Sequence, residues 1–403
     1  MKPTADVVVI GGGCMGASVA YHLTRRGVTN VVLVEREPLL ATGSTGRNAG
    51  GVRHQFSNEA NIRLSIESIG VLERFADEVG HPIDFHQDGY LFLLSSPSSV
   101  DTFHRNVTLQ RGLGVDVQWL DAADAARLAP GLATAGVIGA TFCQRDGIAD
   151  PNGVTMGFAK AAQAAGASIN RDTEVTGIRV ERGAVAAVET TRGTIDTPTV
   201  INAAGPHARL IGRMAGVDVP VAPYRRHIFI AKAPPNLAPR TSNRGPRTPN
   251  PEPRTWDVPS SHVMVIDFES TFYFHREGAG LLFGMGDPGE TPTFDTTVQW
   301  DFLPQVIDLA VKRLPALADA SISHAWAGLY EMTPDANPII GPCPEVDGLF
   351  LINGFSGHGF QHSPAAGRIL ADVIVGRDPQ FDLVPFALDR FARGVAAGER
   401  YVV

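Results

Sequence analysis

Asp6-Val7-Val8-Val9-Ile10 runs directly into Gly11-Gly12-Gly13-Cys14-Met15-Gly16 near the start of the chain. A run of apolar, β-branched residues of this length reads as a strand buried on both faces, as in a parallel sheet. The glycines then fall at the three positions of G-x-G-x-x-G, namely Gly11, Gly13 and Gly16. Such positions supply a tight turn, close approach of backbone to a pyrophosphate, and close packing of helix on strand. Ala17 to Arg26 keeps helical spacing, and Gly27 is placed to stop the helix. A second apolar run, Val31-Val32-Leu33-Val34, ends on Glu35. An acid about 20 positions beyond such glycines accepts hydrogen bonds from an adenosine ribose. The helix N-terminus, with free N–H groups and a favourable dipole, would carry the pyrophosphate.

A chain of 403 residues can bury a large core and is expected to form two domains. The hydrophobic fraction of 44% and charged fraction of 19% are those of an ordinary globular protein. The formal net charge of -8 argues against a broad nucleic-acid or anionic-membrane surface. No apolar run reaches bilayer length, and the first apolar run leads into the glycines rather than a cleavage site. Cys14, Cys143 and Cys343 are widely separated, which counts against a metal cluster or disulfide framework and suits a reducing cytoplasm.

Past the second strand, Thr42 to Gly51 is rich in Gly, Ser, Thr and Asn and is followed by Val52-Arg53-His54-Gln55-Phe56. Directly after a ribose-binding strand, such a loop reads as backbone N–H groups and hydroxyls wrapped round a cofactor, with Arg47 near its phosphates or ring. Asn58 to Val79 predicts an amphipathic helix with Ile62, Ile66, Ile69, Leu72 and Phe75 on one face. Gly89–Leu94 predicts a strand, and Val100–Arg111 and Asp121–Leu128 predict helices. Asp146 to Gly153 reads as a turn capping a helix to about Ala165, followed by strands at 167–171, 174–180 and 194–200. Val200-Ile201-Asn202-Ala203-Ala204-Gly205 reads as a buried strand that rejoins the first sheet. Alternation at 224–230, 263–268, 272–275 and 281–283 predicts a largely antiparallel sheet in a second domain. Within it, Pro234 to Pro259 reads as a disordered, Pro/Arg-rich surface insertion. Gln299–Leu314 predicts a helix. Leu349–Asn353, then Gly354-Phe355-Ser356-Gly357-His358-Gly359, then a helix from Pro364 give a second strand–turn–helix site for an electron-rich group. The expected class is α/β (α+β), with a discontinuous dinucleotide domain (1–80, 146–215, 325–403) and a substrate domain (81–145, 216–324).

Taken together, Gly11-x-Gly13-x-x-Gly16 with Glu35, the Gly43-Ser44-Thr45-x-Arg47-Asn48 loop, Asn202-Ala203-Ala204-Gly205, Thr333-Pro334-Asp335 and Gly354 to Gly359 resemble the D-amino-acid-oxidase-like flavoproteins. The chain looks most like their sarcosine oxidase β-subunit and sarcosine/dimethylglycine dehydrogenase branch. The resemblance implies FAD in a Rossmann-like domain, a mixed sheet over the flavin, and oxidation of a C–N bond in an amino acid or amine by hydride transfer to flavin N5. It implies cofactor contacts from Gly11, Gly13, Cys14, Met15, Gly16, Glu35 and Arg36, and from Ser44, Thr45, Arg47, Asn48, Ala49 and Gly50. Further along it implies contacts from Val175, Ala204, Gly205, Gly328, Gly357, His358, Gly359, Phe360 and Gln361. Tyr273 and Tyr330 fall where relatives place aromatic rings over the flavin. Arg53 or His54, with Gln361, falls where relatives hold the substrate carboxylate. His54, His275 and His358 are candidate functional histidines, His275 because alternate strand residues put it on one face with Tyr273. Arg225, Arg226 and Arg276 read as solvated charges, any one of which is able to pair with a carboxylate.

The departures are informative. Relatives that attach FAD covalently do so through a His where Arg47 stands or a Cys where Gly328 stands, so non-covalent FAD is expected. Pro151 replaces the His that carries a second flavin in heterotetrameric relatives. Leu282 and Gln361 replace two lysines of monomeric sarcosine oxidase, which counts against fast oxidase chemistry and a glycine-type substrate. The electron acceptor is then O2 or an external carrier. Competing readings are a D-amino-acid or glycine-type deaminating oxidase and a flavin-binding accessory subunit that needs a partner; a homo-oligomer is also allowed. A nicotinamide dehydrogenase is disfavoured, since no second fingerprint is present. No metal is expected.

Overall fold

The computed structural model describes residues 2–233, 238–239, 255–256, 262–394 and 398–399. The opening motif forms the middle of a six-stranded sheet, ordered Ile339–Pro342, Leu349–Asn353, Val200–Asn202, Val7–Ile10, Val31–Val34, Ser168–Asn170. Every pairing is parallel except that of Ile339–Pro342 with Leu349–Asn353. Val7 and Val9 pack into one core with the helices Cys14–Arg25, Pro151–Ala164 and Gly359–Ile374. Val8 and Ile10 pack into another with Val175, Ile178, Val188 and Ile211. Both faces are covered, which is why the strand is apolar at every position; each fully buried Val contributes about 1.5–3 kcal/mol.

Two of those helices cross at close range. A Cβ on Gly367 would lie 2.2 Å from Ser18 Oγ, and that hydroxyl donates to the Ser363 carbonyl at 2.7 Å. Arg26 clamps the far end with two 2.6 Å bonds to Asp372. The pair is thereby fixed with both N-termini at the carboxyl ends of the sheet.

The second sheet has eight strands, ordered Ser321–Met332, Ala222–Lys232, Gly280–Met285, Phe272–Glu277, Met264–Asp267, Tyr90–Leu94, Gly139–Cys143, Val117–Leu120. It is antiparallel apart from the pairing of Met264–Asp267 with Tyr90–Leu94. Alternate residues separate cleanly. Leu91, Leu93, Phe229, Val265, Phe272, Phe274 and Phe283 pack under the helix Leu303–Arg313. Tyr90, Phe92, Ile228, Met264, Ile266, Tyr273 and Leu282 face the other way.

Several boundaries differ from expectation for identifiable reasons. The expected 194–200 strand divides: Gly193–Asp196 joins Val175–Glu181 and Ala184–Thr190 in a small antiparallel sheet, while Val200–Asn202 joins the six-stranded one. Pro198, which has no N–H for a ladder, sits at the break. The final long helix begins at Gly359, with Pro364 inside it, rather than at Pro364. Pro304 stands in the first turn of Leu303–Arg313, and the preceding Trp300–Phe302 is a separate 3-10 turn. Residue 325, an expected domain boundary, falls inside the 12-residue strand Ser321–Met332. Of the 234–259 insertion, only the parallel backbone pairing of Ala238–Pro239 with Thr255–Trp256 belongs to the described residues; its expected disorder lies outside them.

A buried ion pair ties the end of Ser321–Met332 to the rest. Asp335 accepts from Arg390 Nε at 2.8 Å and Nη2 at 2.9 Å, and Thr333 Oγ1 donates to the Asn337 carbonyl at 2.7 Å. The side chains of Arg390 and Asp335 are only 3% and 5% exposed. Burial alone would raise the Asp335 carboxyl, but the guanidinium outweighs it and holds the group below the usual range. Arg390→Met strands a buried carboxylate and is expected to cost about 3–5 kcal/mol. The readout is a lower urea midpoint at unchanged slope; an unmoved midpoint would show that the pair stabilises nothing.

Candidate active site

The carboxyl ends of the parallel strands open into a cavity of about 630 Å³, within the usual size of a cofactor site. Its floor is the glycine turn. Gly11 has φ +113°, and a Cβ there would lie 2.4 Å from the Ala203 carbonyl oxygen. A Cβ on Gly16 would lie 1.9 Å from the Gly11 carbonyl oxygen. Gly16 therefore sets the helix against the strand, and the cavity is lined by its neighbours Gly11, Gly12, Gly13, Cys14 and Met15. The helix Cys14–Arg25 has Gly13 as its N-cap, with no side-chain cap, so a ligand is able to take first-turn N–H groups.

Glu35 faces this turn: one carboxylate oxygen accepts from Gly12 N at 2.6 Å and the other from Glu37 N at 2.9 Å. Each oxygen keeps a further lone pair for a ribose hydroxyl. Met15, Arg36, Val175, Ala204 and Gly205 also line the space. Thr45 Oγ1 accepts from Cys14 N at 3.1 Å and so ties the Gly/Ser/Thr loop to the helix start. Glycine cradle, uncapped helix end and inward carboxylate together fit a dinucleotide such as FAD, whose ribose Glu35 would hold and whose pyrophosphate the glycine turn would hold.

A smaller cavity of about 110 Å³ adjoins the first. The two share Cys14, Ser44, Thr45, Arg47, Leu329 and Glu331 as lining. One wall is the polar-studded face of the eight-stranded sheet, contributing Tyr90, Arg226, Tyr273, Gly328 and Tyr330. Opposite lies the start of the helix Gly359–Ile374, with Gly357, His358, Gly359, Phe360 and Gln361. Tyr330 lies against Gly357, where φ is +96° and a Cβ would come within 2.3 Å of the ring. Arg53 completes the lining, its guanidinium 4.5 Å from the Phe56 ring centroid and 5.5 Å from that of Phe92. The Gln361 side-chain oxygen accepts from Arg53 N at 2.6 Å, which leaves the carboxamide N–H groups as its donors.

The expected histidines separate. His358 does line the small cavity, but burial and the nearby Arg53 charge lower its pKa to about 3, so the ring is neutral. His54 does not line it. Its ring Nδ1 lies 2.6 Å from Asp146 Oδ1, and that same oxygen accepts from His54 N at 2.8 Å. Asp146 Oδ2 accepts from Gln55 Nε2 at 3.1 Å. His54, Cys143 and Asp146 place nitrogen, sulfur and oxygen atoms within 4.8 Å of one another, all buried, in a network that pins the segment carrying Arg53. His275 shares the face of Tyr273, as expected, but lies deeper. Its Nδ1 is 2.7 Å from the Arg276 carbonyl and its Nε2 is 3.1 Å from that of Ala49, so both ring nitrogens face backbone carbonyls and the ring braces the loop.

The loop residues also sort by place. Asn48 and Ala49 line the small cavity, whereas Gly50 turns away, with φ +74° and its Cβ site 2.6 Å from the Ala149 carbonyl oxygen. Arg47 bonds to the Thr42 and Ala327 carbonyls, and a Cβ on Gly328 would lie 3.0 Å from Arg47 Cβ. Of the three arginines read as solvated charges, Arg225 is buried on Glu290 and Asp295, Arg226 lines the small cavity, and Arg276 is half-buried, its Nε donating to the Gly278 carbonyl at 3.1 Å.

Two polar residues lining the small cavity, Tyr90 and Glu331, carried no site expectation in the sequence. Tyr90 was a strand position only, and Glu331 was unremarked. Removal from water raises the Glu331 carboxyl to about 7 against a lowering contact from Ser44. The folded state therefore holds a proton that the unfolded chain has released between about pH 4.5 and 7. In the apoprotein, stability is expected to fall as pH rises through that window, and Glu331→Gln should flatten the loss in pH-dependent unfolding. An unaltered profile would assign the slope elsewhere. Gly11→Ala, which drives a methyl into the Ala203 carbonyl, is expected to purify without bound flavin, checked by its visible spectrum; a yellow Gly11→Ala protein would contradict the cradle geometry.

Comparison with known proteins agrees with this geometry. Residues 6–373 match the family described as FAD dependent oxidoreductase. The chain is 31% identical to mouse mitochondrial sarcosine dehydrogenase over its whole length, but spans only 43% of that protein. It is 28% identical to glycine oxidase of Geobacillus kaustophilus, covering 96% of this chain and 97% of that one. The crystal structure of L-proline dehydrogenase from P. horikoshii superposes with a TM-score of 0.86 at 33% identity, covering 98% of this chain and 100% of that one. With the matched region running from the first strand almost to the end of the last long helix, the chain belongs to the FAD dependent oxidoreductase family.

Proposed function

We propose that this FAD-dependent oxidoreductase oxidises the C–N bond of a small amino acid or a secondary or tertiary amine, of the sarcosine, dimethylglycine or proline kind, to an imine that hydrolyses. The observation carrying this reading is the junction of the two cavities: a site with guanidinium, carboxamide and tyrosine groups opens onto the dinucleotide site through Ser44, Thr45 and Glu331. FAD, when bound, accepts the hydride. Arg53 and Gln361 would hold the substrate carboxylate, a charge-assisted arrangement that orients the adjacent C–H bond. Tyr90, Tyr273 and Tyr330, all enclosed and with hydroxyls held above their usual pKa by burial, stay neutral, exclude water and offer hydrogen bonds.

Among the described residues the small cavity is lined by one carboxyl group, Glu331, which burial raises to about 7; hydride transfer itself needs no base once the amine nitrogen is unprotonated. The Arg53 and Arg226 charges favour that neutral amine by repelling an ammonium. Non-covalent FAD is favoured because the Arg47 and Gly328 positions present no linking side chain to the cavities. An external electron carrier is favoured over O2 because Leu282 is 3% exposed within an apolar cluster, with no cation at that position. A primary-amine, deaminating substrate is the second reading, supported by the 28% identity to a glycine oxidase. A reducing compartment suits the three buried free cysteines. Among the described residues no helix is long and apolar enough to cross a membrane.

The test is anaerobic mixing with sarcosine, dimethylglycine, proline and D-alanine, read as bleaching of the flavin bands. Bleaching by an N-alkyl or cyclic amino acid is expected, with FAD released into the supernatant by acid. Bleaching by D-alanine alone would favour the deaminating reading; a yellow protein bleached by none of a broad amine panel would defeat the proposal.

A further inference from the structure

At the rim of the larger cavity stand Phe294 and Thr296, carried by the segment between the strand Gly280–Met285 and the turn Trp300–Phe302. Residues 286–299 contain no helix or strand, yet the segment is pinned on both sides of Phe294. Arg225 donates to Glu290 at 2.9 Å, to Asp295 at 2.7 Å and to the Thr297 carbonyl at 3.1 Å. Thr293 N donates to the Pro223 carbonyl at 2.8 Å, and Gln299 N to His227 Nε2 at 3.1 Å. The Arg225 and Glu290 side chains are buried. Phe294, held between these anchors, is nevertheless 46% exposed. A fixed aromatic ring with so much apolar surface in water gains by being covered, and a ligand in the cavity is placed to cover it.

The cavity itself sets which part of FAD would lie there. With the pyrophosphate at the glycine turn and the ribose at Glu35, the adenine falls beyond Glu35, at the end lined by Arg36, Val175, Leu210, Ile211 and Met214. These walls are mostly apolar: Val175 and Ile211 belong to a buried cluster on which Met214 packs. Phe294 stands at this same end. Arg36 Nη1 lies 3.0 Å from His207 Nε2, and the His207 ring lies 4.7 Å from that of Phe294, centroid to centroid, at 30°. Burial and the Arg36 charge lower the His207 imidazole to about 4, so the ring is neutral and its Nε2 accepts from Arg36. Guanidinium, imidazole and phenyl thus line up along one rim as flat groups. Leu210, 43% exposed, lines that end too.

We propose that Phe294, with Leu210, covers the adenine ring of FAD, and that this contact makes the site prefer the dinucleotide to a mononucleotide flavin. The cofactor's base is then held from two sides, by the six-stranded sheet's cavity and by a loop of the eight-stranded sheet. The inference rests on membership of the FAD family and not on which amine is oxidised. The test starts from the FAD-loaded full chain. Its dissociation constant for FAD is read on dilution as the return of free-flavin fluorescence, and those for ADP and FMN by displacement. In Phe294→Ala the FAD constant is expected to rise about tenfold or more, the size of one base–aromatic stack. The ADP constant should rise by a similar factor, while the FMN constant stays where it was, since FMN carries no adenine. Phe294→Tyr keeps the ring and should recover most of the affinity. An unchanged FAD constant in Phe294→Ala would overturn the proposal. Equal losses for FAD and FMN would overturn it as well, since they would trace the effect to the flavin half or to the fold. All three readouts are binding equilibria, which separates them from the reaction. A flavin that no amine bleaches defeats amine oxidation and leaves the adenine contact standing; a Phe294→Ala protein that holds FAD unchanged does the reverse.

Discussion

The backbone crossing at Gly11 is the constraint on which the rest depends. Its carbonyl lies against Gly16, its Cα against the Ala203 carbonyl, and both approaches are too close for any Cβ. Because those contacts are backbone to backbone, no rotamer change relieves a substitution there. They place the helix Cys14–Arg25 with its start at the carboxyl ends of the strands, where Glu35 closes the turn through Gly12 N. The second helix, Gly359–Ile374, inherits that alignment through Gly367 on Ser18 and Arg26 on Asp372. Two helix starts therefore face one continuous space.

The eight-stranded sheet solves a different problem. It must be apolar on the face under Leu303–Arg313 and polar in spots on the face over the site. Strict alternation does this within single strands: Phe272 and Phe274 point to the core, Tyr273 and His275 to the other side. The seam between the sheets is then held by short-range polar contacts, including the Thr333–Asp335–Arg390 group and the Ser356 N bond to the Glu331 carbonyl at 3.1 Å. Packing makes the frame, and buried charge and hydrogen bonds fix its register.

Local physics explains what was legible in the sequence. The glycine turn, Glu35 and the first two strands were readable because buried parallel strands and Cβ-free turns leave unambiguous residue choices. The face shared by Tyr273 and His275 was readable from period two, but not its depth: His275 lies beneath Ala49, and only the folded loop shows that. His54 stood next to Arg53, which lines the small cavity, and was turned to Asp146 by a contact 92 positions away. Ser321–Met332 was missed because an edge strand that lines a site carries Gly328, Tyr330 and Glu331 in place of clean alternation. Arg226 was indistinguishable from Arg225 and Arg276 as a charge; the alternation of Tyr224–Ile230 held the signal, since Arg225 and Arg226 must point to opposite faces.

The dinucleotide cavity and the smaller cavity beside it thus draw on different materials: backbone approaches in one sheet, outward side chains of alternate positions in the other. A lineage that needs to accept a new guest has a short list of exchangeable positions, 226, 273 and 330 among them, whose replacement leaves the glycine crossing untouched. Evolvability here is a matter of geometry. The residues free to vary are those whose side chains end in the cavity, and the residues that cannot vary are those with no side chain at all.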